Sequence, residues 1–392
     1  MNEHVLKKIK EYDGIIIYGL GAFGRRAYFD MKDYSGTMLF AVTHASPGQV
    51  FYGHEVHDLQ YYIDDVHTPV IVTVKPELRD ELKEYALNLG FENVLVPDIK
   101  LDDYEYLSQW QELDLESVLS EWYEAYTGKQ IDIRHPRTYN EKIQWLKIHD
   151  NIPIKTKLSD KWDVREYVSR KIGNQYLVNT YGVWDSFDEI DFDLLPERFA
   201  LKCTHASGTN AIITSKSNTD MPALKIRFDD WMSKNYAFMC GLELNYRDIK
   251  PRIIAEEYLS TEDGVDLRDY KVHVFNGKAK LIQVDIDRSH EHRRNLYSVD
   301  WEYIPCSILY PTAQDVHIER PDCLEELIEV SEKLAEGFIY VRCDFYILKD
   351  QILFGEMTFL HGSGVEPFDP ESFNVRMGEW MKLPIEEEQG NG

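Results

Sequence analysis

Apolar residues in the first hundred positions come in short blocks. "GIIIYG", "MLFAVT", "PVIVTV" and "NVLVP" are each bounded by glycine, proline or polar residues, and stretches of helical period, "AFGRRAYFDM" and "ELRDELKEYALNLG", lie between them. Short buried strands alternating with helices predict a parallel sheet with right-handed crossovers over residues 1–100. From "DYEYLSQWQELDLESVLSEWYEAYTG" the pattern turns helical and aromatic, which predicts a packed connector ending near Gly128 at the start of a second domain, 101–392. "TYNEKIQWLKIHD" opens another helix, with Thr138 or Asn140 as its N-cap, and "KLSDKWDVREYVSRKIG" is expected to be a further helix ending at Gly173. Mixed strands follow in "RFALKCTH", "NAIITS", "PRIIAEEYL" and "DYKVHVFNGKAKLIQVDI", and "PIEEEQGNG" is expected to fray at the end. The fold class is α/β, with α+β character in the larger part. No internal repeat or long linker is visible.

The alternation matters most in "VRCDFYILKDQILFGEMTF", residues 341–359. Period two puts Val341, Cys343, Phe345, Ile347, Leu353, Met357 and Phe359 on one face of a hairpin, and Arg342, Asp344, Tyr346, Glu356 and Thr358 on the other. A three-residue turn at Lys349-Asp350-Gln351 would set Asp344 directly opposite Glu356. Facing residues have Cβ atoms roughly 4.5–5.5 Å apart, and like charges there destabilise a sheet. Arg342 can offset part of the repulsion, and a hard divalent cation such as Mg²⁺ can offset more. The alternative is a surface hairpin whose acids point to water.

Two other segments carry candidate chemistry. In "FALKCTHASGTNAIITSK", strands flank the small-residue loop His205-Ala206-Ser207-Gly208-Thr209, and Lys202 sits near the end of the first strand. Such a loop lets backbone N–H groups approach an anion while the lysine supplies charge. It is either a polyphosphate clamp or an ordinary hairpin turn, and it lacks the spacing of a P-loop. "PRIIAEEYLS" stops at two acids before Tyr258 and Leu259. It can offer backbone groups to an adenine edge, or it is an edge strand with exposed acids.

Charge and cysteine content narrow the classes. Lys+Arg is 43 and Asp+Glu 69, a net of −26, which opposes general nucleic-acid binding; an anionic ligand must be held by a few placed cations in a cleft. The five cysteines are scattered without C-x-x-C, suggesting neither a zinc ribbon nor a disulfide framework. No secretory apolar segment opens the chain, and no apolar run reaches the ~20 residues of a membrane helix, so a reduced cytoplasmic protein is expected.

Gly19-Leu20-Gly21-Ala22-Phe23-Gly24 places glycines at 19, 21 and 24 between a strand and a helix, which makes the first domain Rossmann-like. This motif can bind a pyrophosphate at the helix N-terminus, with Arg25 and Arg26 neutralising it, or it can serve close packing alone. The acid expected about 20 residues on is missing, which disfavours NAD.

The pieces occur in a set order: Asp160-Lys161, Lys202 with its small-residue loop, Glu-Glu-Tyr-Leu, then Asp344 and Glu356. With "GVWDSFDEIDF", "LPERFALKCTHASGTN", "DYKVHVFNGKAKLIQVD", "HRRNLY", "VRCDFY" and "GEMTFLHGSG", the chain over roughly 130–383 resembles the TupA-like ATP-grasp family, associated with teichuronopeptide and surface-polysaccharide synthesis. The resemblance implies an ATP-grasp fold with ATP and Mg²⁺ as cofactors. It implies that Lys161 and Lys202 bind phosphates and that Ser207, Gly208 and Thr209 cover them. Glu256, Glu257, Tyr258 and Leu259 would form the adenine hinge, with the Glu257 carbonyl and Leu259 amide reading the base. Asp344 and Glu356 would be metal ligands, with Thr358 where many relatives carry Asn. Lys271 and Arg342 would contact the transferred phosphate or the acyl phosphate, Arg293 and Arg294 the acceptor carboxylate, and His205, His273 or His361 would act as base for the amine. The first domain resembles units attached to surface-polysaccharide enzymes, some of which bind sugar nucleotides. The reaction implied is amide formation between a uronic-acid-type carboxylate of a cell-surface glycan, or its precursor, and an amine or amino acid. The alternatives are a kinase-like phosphotransferase acting on a sugar or carboxylate, and a non-catalytic nucleotide-sugar module.

Overall fold

A computed structural model describes residues 3–31, 33–99, 114–239, 241–260, 267–287 and 291–385. Residues 101–113 of the connector and 386–392 of the tail lie outside the described residues. The chain divides into two compact units, Met1–Ala125 and Tyr126–Gly392.

The first unit contains α1 (Glu3–Ile9), β1 (Gly14–Tyr18), α2 (Ala22–Asp30), β2 (Thr37–Val42), β3 (Val50–Phe51), β4 (His54–Asp58), β5 (Val70–Val72), α3 (Arg79–Asn88) and β6 (Val94–Leu95). Its sheet runs β3-β4-β2-β1-β5-β6, and every pair is parallel except β3 with β4. Ile15 and Ile17 face one apolar cluster and Ile16 and Tyr18 another, so β1 is covered on both faces, as its unbroken apolar run requires. The β3–β4 hairpin was not legible in the sequence, because "HEVHD" buries little beyond Val56.

The second unit begins within α4 (Leu115–Thr127) and continues through α5 (Tyr139–His149), α6 (Pro153–Ser159) and α7 (Val164–Lys171). Thr138 caps α5, accepting from the Glu141 amide while Glu141 accepts from Thr138, a complete capping box. The single helix expected over 157–173 is broken at Asp160–Asp163. Asp160 turns extended and its Oδ1 accepts from the amides of Trp162 and Asp163, giving the backbone partners other than the next helical turn.

Four strands follow: β7 (Thr180–Trp184), β8 (Phe199–Cys203), β9 (Asn210–Ile213) and, after α8 (Met221–Met232), β10 (Ile253–Glu257). They form an antiparallel sheet in the order β7-β10-β8-β9, with α8 packed on its apolar face. The larger sheet uses β11 (Asp269–Phe275), β12 (Lys278–Ile286), β13 (Arg293–Tyr297) and β14 (Tyr303–Ile304). β15 (Ser307–Ile308) and α9 (Leu324–Leu334) come next, then β16 (Tyr340–Leu348) and β17 (Gln351–Thr358) complete that sheet. Its order is β14-β13-β12-β11-β16-β17, antiparallel throughout. β18 (Phe368–Asp369) pairs with β15, and α10 (Ser372–Trp380) closes the described chain. Four of the cysteines are described, and all are buried and unpaired. No helix among the described residues is long and apolar enough to cross a membrane.

The β16–β17 hairpin reaches its pairing by a route the sequence did not suggest. Its turn has two residues, Lys349 and Asp350, both at positive φ, rather than three. Leu348 pairs with Gln351 and Tyr346 with Leu353, so Leu353 does not share a face with Ile347. A bulge at Gly355 then supplies the extra residue that sets Glu356 opposite Asp344. Glycine suits the position: a Cβ there would sit 3.1 Å from the Asp344 carbonyl oxygen.

Candidate active site

Antiparallel partners share a face, so the register defines what the larger sheet presents. Lys271 lies beside Gln283 and Asp344, His273 beside Arg342, Asp285 beside Arg294, Arg342 beside Thr358, and Asp344 beside Glu356. One face of the sheet is therefore polar. The opposite residues, Val272, Ile282, Val284, Val341, Cys343 and Phe345, are apolar and buried.

On the polar face, cations and anions alternate in one continuous row. Lys161 Nζ lies 3.5 Å from Glu356 Oε2, and Arg342 Nη2 lies 3.6 Å from Glu356 Oε1. Arg342 forks onto Asp344, with both nitrogens 2.7 Å from its oxygens. Lys271 Nζ sits 3.1 Å from Asp344 and 3.4 Å from Asp285. Arg294 then donates to Asp285 at 2.8 Å and to Glu366 at 3.1 Å. Every acid in the row is flanked by base, which resolves the like-charge pairing of Asp344 and Glu356 without leaving a buried charge unpaired. The row is driest in its middle: Asp285 is 2% exposed and Arg294 5%, against 32% for Glu356 at one end and 16% for Glu366 at the other. Burial pushes the Glu356 carboxyl up, but Lys161, Arg342, Lys271 and Lys202 outweigh it and hold it down at about 2. Asp285 is likewise drawn far below the usual carboxylate range, because His292, Lys271 and Arg294 overcome its burial.

Lys161 is placed by the break between α6 and α7. Its amide donates to the Thr204 carbonyl, and its Nζ donates to the Ala206 carbonyl at 2.8 Å. Asp160 anchors the corner: its buried Oδ2 accepts from Thr204 Oγ1 at 3.0 Å and from Arg252 at 2.9 Å. The lysine thus ties the small-residue loop to Glu356. In that loop Ser207 and Gly208 are exposed, Thr209 is half-buried, and Gly208 is left-handed with open space where a side chain would be. Lys202 donates to Glu256 at 2.7 Å, and Arg165 approaches the same carboxylate at 3.3 Å. Burial opposes the Lys202 charge, but Glu256, Tyr346 and Glu356 raise its pKa above the ordinary lysine value. The Glu256 side chain is therefore a partner for cations. Glu257 lies exposed at the end of β10, its amide donating to the Asn179 carbonyl; Tyr258 carries the Arg198 guanidinium 4.1 Å from its ring centre, and Leu259 is half-buried.

Arg293 and Arg294 part company. Period two sends Arg294 into the row, whereas Arg293 points away and pairs with Asp315 at 2.7 Å. All three histidines proposed as bases are buried, and burial lowers the pKa of each, which favours the neutral ring. His273 and His361 belong to a buried hydrogen-bonded chain beside the row: Gln283, His273, Tyr340, Tyr139 and His361 connect at 3.2, 2.9, 2.8 and 3.2 Å. Asp285, Glu366 and Glu243 were not singled out in the sequence. Asp285 had a signal, a carboxylate inside the apolar alternation of "LIQVDI". Glu243 had none; burial raises its pKa and Lys147 opposes that rise.

In the first unit, Gly19 and Gly24 meet close neighbours. A Cβ on Gly19 would lie 2.4 Å from Val74 Cγ1, and one on Gly24 would lie 2.2 Å from the Gly19 carbonyl oxygen. Gly21 faces open space. Arg25 pairs with Glu121 and Arg26 with Asp30.

The family model described as TupA-like ATPgrasp matches residues 141–382. No curated protein matches the chain. Among solved structures it is similar to D-alanine–D-alanine ligase from Bacillus anthracis, with 11% identity over 96% of this chain and 98% of that one at a TM-score of 0.35. It is also similar to N5-carboxyaminoimidazole synthase from Aspergillus clavatus, with 10% identity over 90% and 72% of the two chains at 0.31. A third is N5-carboxyaminoimidazole synthetase from Staphylococcus aureus complexed with ADP, with 14% identity over 88% and 70% at 0.32. The family model spans more than half of the sequence, and on that ground the chain belongs to the TupA-like ATP-grasp family.

Proposed function

We propose that the protein activates a uronic-acid-type carboxylate of a capsule or cell-surface glycan, or of its precursor, and joins it to an amine or amino acid. As an ATP-grasp family member the chain is an ATP-dependent ligase that forms carbon–nitrogen bonds, with ATP and Mg²⁺ as cofactors. The observation that carries the finer reading is the buried row of alternating charge. A carboxylate and a polyphosphate are both anions, and in a chain of net charge −26 they need cations fixed in place. Lys161, Lys202, Lys271, Arg342 and Arg294 are so fixed, each by an acid within 3.5 Å.

The donor set fits Mg²⁺. Asp344 and Glu356 are hard oxygen donors on facing positions, and Thr358 Oγ1 lies 3.3 Å from Glu356 Oε1. Among the described residues no cluster of three or more His, Cys, Asp or Glu ligands forms. Mg²⁺ is commonly held by one or two carboxylates, with phosphate oxygens and water completing its shell, so two acids suffice. When bound, the ion neutralises phosphate charge. In this reading the protein's residues do the rest. Lys161 and Lys202 hold the phosphates, Ser207, Gly208 and Thr209 cover them, and Glu257 to Leu259 take the base. Arg342 and Lys271 stabilise charge on the transferring phosphoryl group and acyl phosphate, and Arg294 orients the carboxylate. Arg293 takes no part in the site, since it faces Asp315.

The first unit is read as a sugar-nucleotide module. The open space at Gly21 beside the start of α2 supports this, while Gly19 and Gly24 serve packing. The cytoplasm is the proposed site of action, where ATP is available.

The test is ADP release with glucuronate or a nucleotide-linked uronate and a panel of amines. Release that needs both substrates is expected, and no amine-dependent ADP with any uronate would contradict the reading. Release without amine, together with a stable phosphorylated product, would make the protein a phosphotransferase. Asp344→Asn and Glu356→Gln should each lower turnover by about 10²–10³-fold, as lost electrostatic stabilisation does, with far-UV circular dichroism unchanged.

A further inference from the structure

We infer that Glu366 is the base that takes the proton from the attacking amine. The inference rests on the amide-forming reading above and adds to it a residue and a step.

Glu366 closes the charged row at the end opposite Glu356. It is the more open member there, 16% exposed beside an Arg294 that is 5% exposed, so it is the acid at that end that a substrate can reach. It is also a built position. The Asn140 side chain donates to the Glu366 carbonyl at 2.9 Å, and the Asn140 amide is held by Asn374 at 3.0 Å. The Glu366 carboxylate lies 3.1 Å from Arg294 Nη1 and 3.3 Å from His361 Nε2. Gly362 is left-handed, with φ of 57°, and a Cβ on it would fall 2.4 Å from Glu366 Cγ, so the turn is wrapped around this side chain. Gln144 donates to the carbonyls of Ser363 and Gly364, at 2.9 and 3.0 Å, and fixes the turn from α5.

The histidines do not fill this role. His273 is 0% exposed and His361 2%, so neither is open to a substrate. His361 Nδ1 is engaged by the Tyr139 hydroxyl, and Nε2 lies 3.3 Å from Glu366 Oε2 without a hydrogen bond to it. The groups acting on Glu366 are Arg294 from β13, His361 from its own turn, Asp285 from β12 and Arg342 from β16. Burial is the largest influence and raises its pKa, Arg294 and Arg342 oppose the rise, and Asp285 adds to it; the net shift is upward, toward the range where a carboxylate accepts a proton more readily.

The step balances. The amine nitrogen bonds to the carbonyl carbon of the acyl phosphate, and the carbon–oxygen bond to phosphate breaks with its electron pair leaving on inorganic phosphate. The amine attacks as its free base, having given its ammonium proton to solvent; the one further proton lost from nitrogen goes to Glu366, which returns it to solvent as product leaves.

The experiment compares two nucleophiles on full-length Glu366→Gln. Hydroxylamine is already the free base at neutral pH and needs little help, so its capture reports acyl-phosphate formation alone. The variant should lose amide formation with an ordinary amine by about 10²–10⁴-fold, the usual range for a general base. Hydroxamate formation should fall far less than amide formation, because in activation the residue only steadies Arg294 and takes no proton. The part of the acid limb of kcat/KM that exceeds the amine's own protonation should vanish in the variant, and Glu366→Asp should recover part of the rate. Equal loss of both products, or full amide formation in Glu366→Gln, would overturn the inference. Failure of wild type to form hydroxamate at all would instead count against the ligase reading.

Discussion

Glu356 is the residue on which the site's electrostatics turn, because it meets Lys161, Arg342 and, by register, Asp344. Its carboxyl sits at about 2 in the folded chain, against a usual value near 4.5. A carboxyl held lower in the folded state contributes stability that is present above the unfolded value and lost as pH falls through the folded one. Stability from Glu356 should therefore drain away between about pH 4.5 and about pH 2. Glu356→Gln should flatten that part of the stability curve, measured by urea unfolding across the pH range; an unchanged slope would remove the charge contacts from the account. At this scale much was legible. Period and facing position singled out Asp344, Glu356 and Arg342, and the small-residue loop pointed to Lys202, whereas Lys161, Lys271 and the Arg293–Arg294 pair came from the family resemblance. The choice between Arg293 and Arg294 could not be made there, since adjacent strand residues take opposite faces and only the pairing of β13 with β12 says which face is which. Glu366 was hidden because its turn has no periodicity.

Elements decide how those residues meet. The sequence yielded the hairpin and the opposition of Asp344 to Glu356, but for a reason that differs from the observed one. A two-residue turn plus a bulge sums to the same register as a three-residue turn, and period-two counting cannot separate them. Gly355→Val should separate them in practice. Its Cβ would press on the Asp344 carbonyl, so both turnover and stability should fall, the latter by about 1–3 kcal/mol as overpacking does. A variant with wild-type melting and turnover would mean the bulge has room to spare. The break after α6 is a second case: propensity over "KLSDKWDV" reads helix, and the local bonds of Asp160 override it to seat Lys161 beside Thr204. α5 is a third. Its polar Lys142, Gln144 and Lys147 are buried and hold the carbonyls of Met381, Gly241 and the turn that carries Glu366, contacts that nothing in the helix's own sequence specifies. Thr138→Ala removes the helix's capping box and should cost about 1 kcal/mol in urea unfolding. No loss would mean that tertiary contacts alone hold this helix.

At the scale of the whole molecule the acidity and the site explain each other. A chain of net charge −26 repels anions on average, so the cations that matter are few, internal and paired. The parallel first unit was legible because fully apolar strands bounded by glycine and proline leave little choice; its β3–β4 hairpin was not, for want of apolar content. The second unit was legible through the order of its motifs more than through its helices. The central claim is that a carboxylate becomes an acyl phosphate on this row of charges and is then captured by an amine. It is tested most directly by supplying the uronate with ¹⁸O in its carboxyl group, together with ATP, Mg²⁺ and amine, and weighing the inorganic phosphate released. One labelled oxygen in the phosphate for each amide formed is the predicted result; unlabelled phosphate alongside amide product would contradict it.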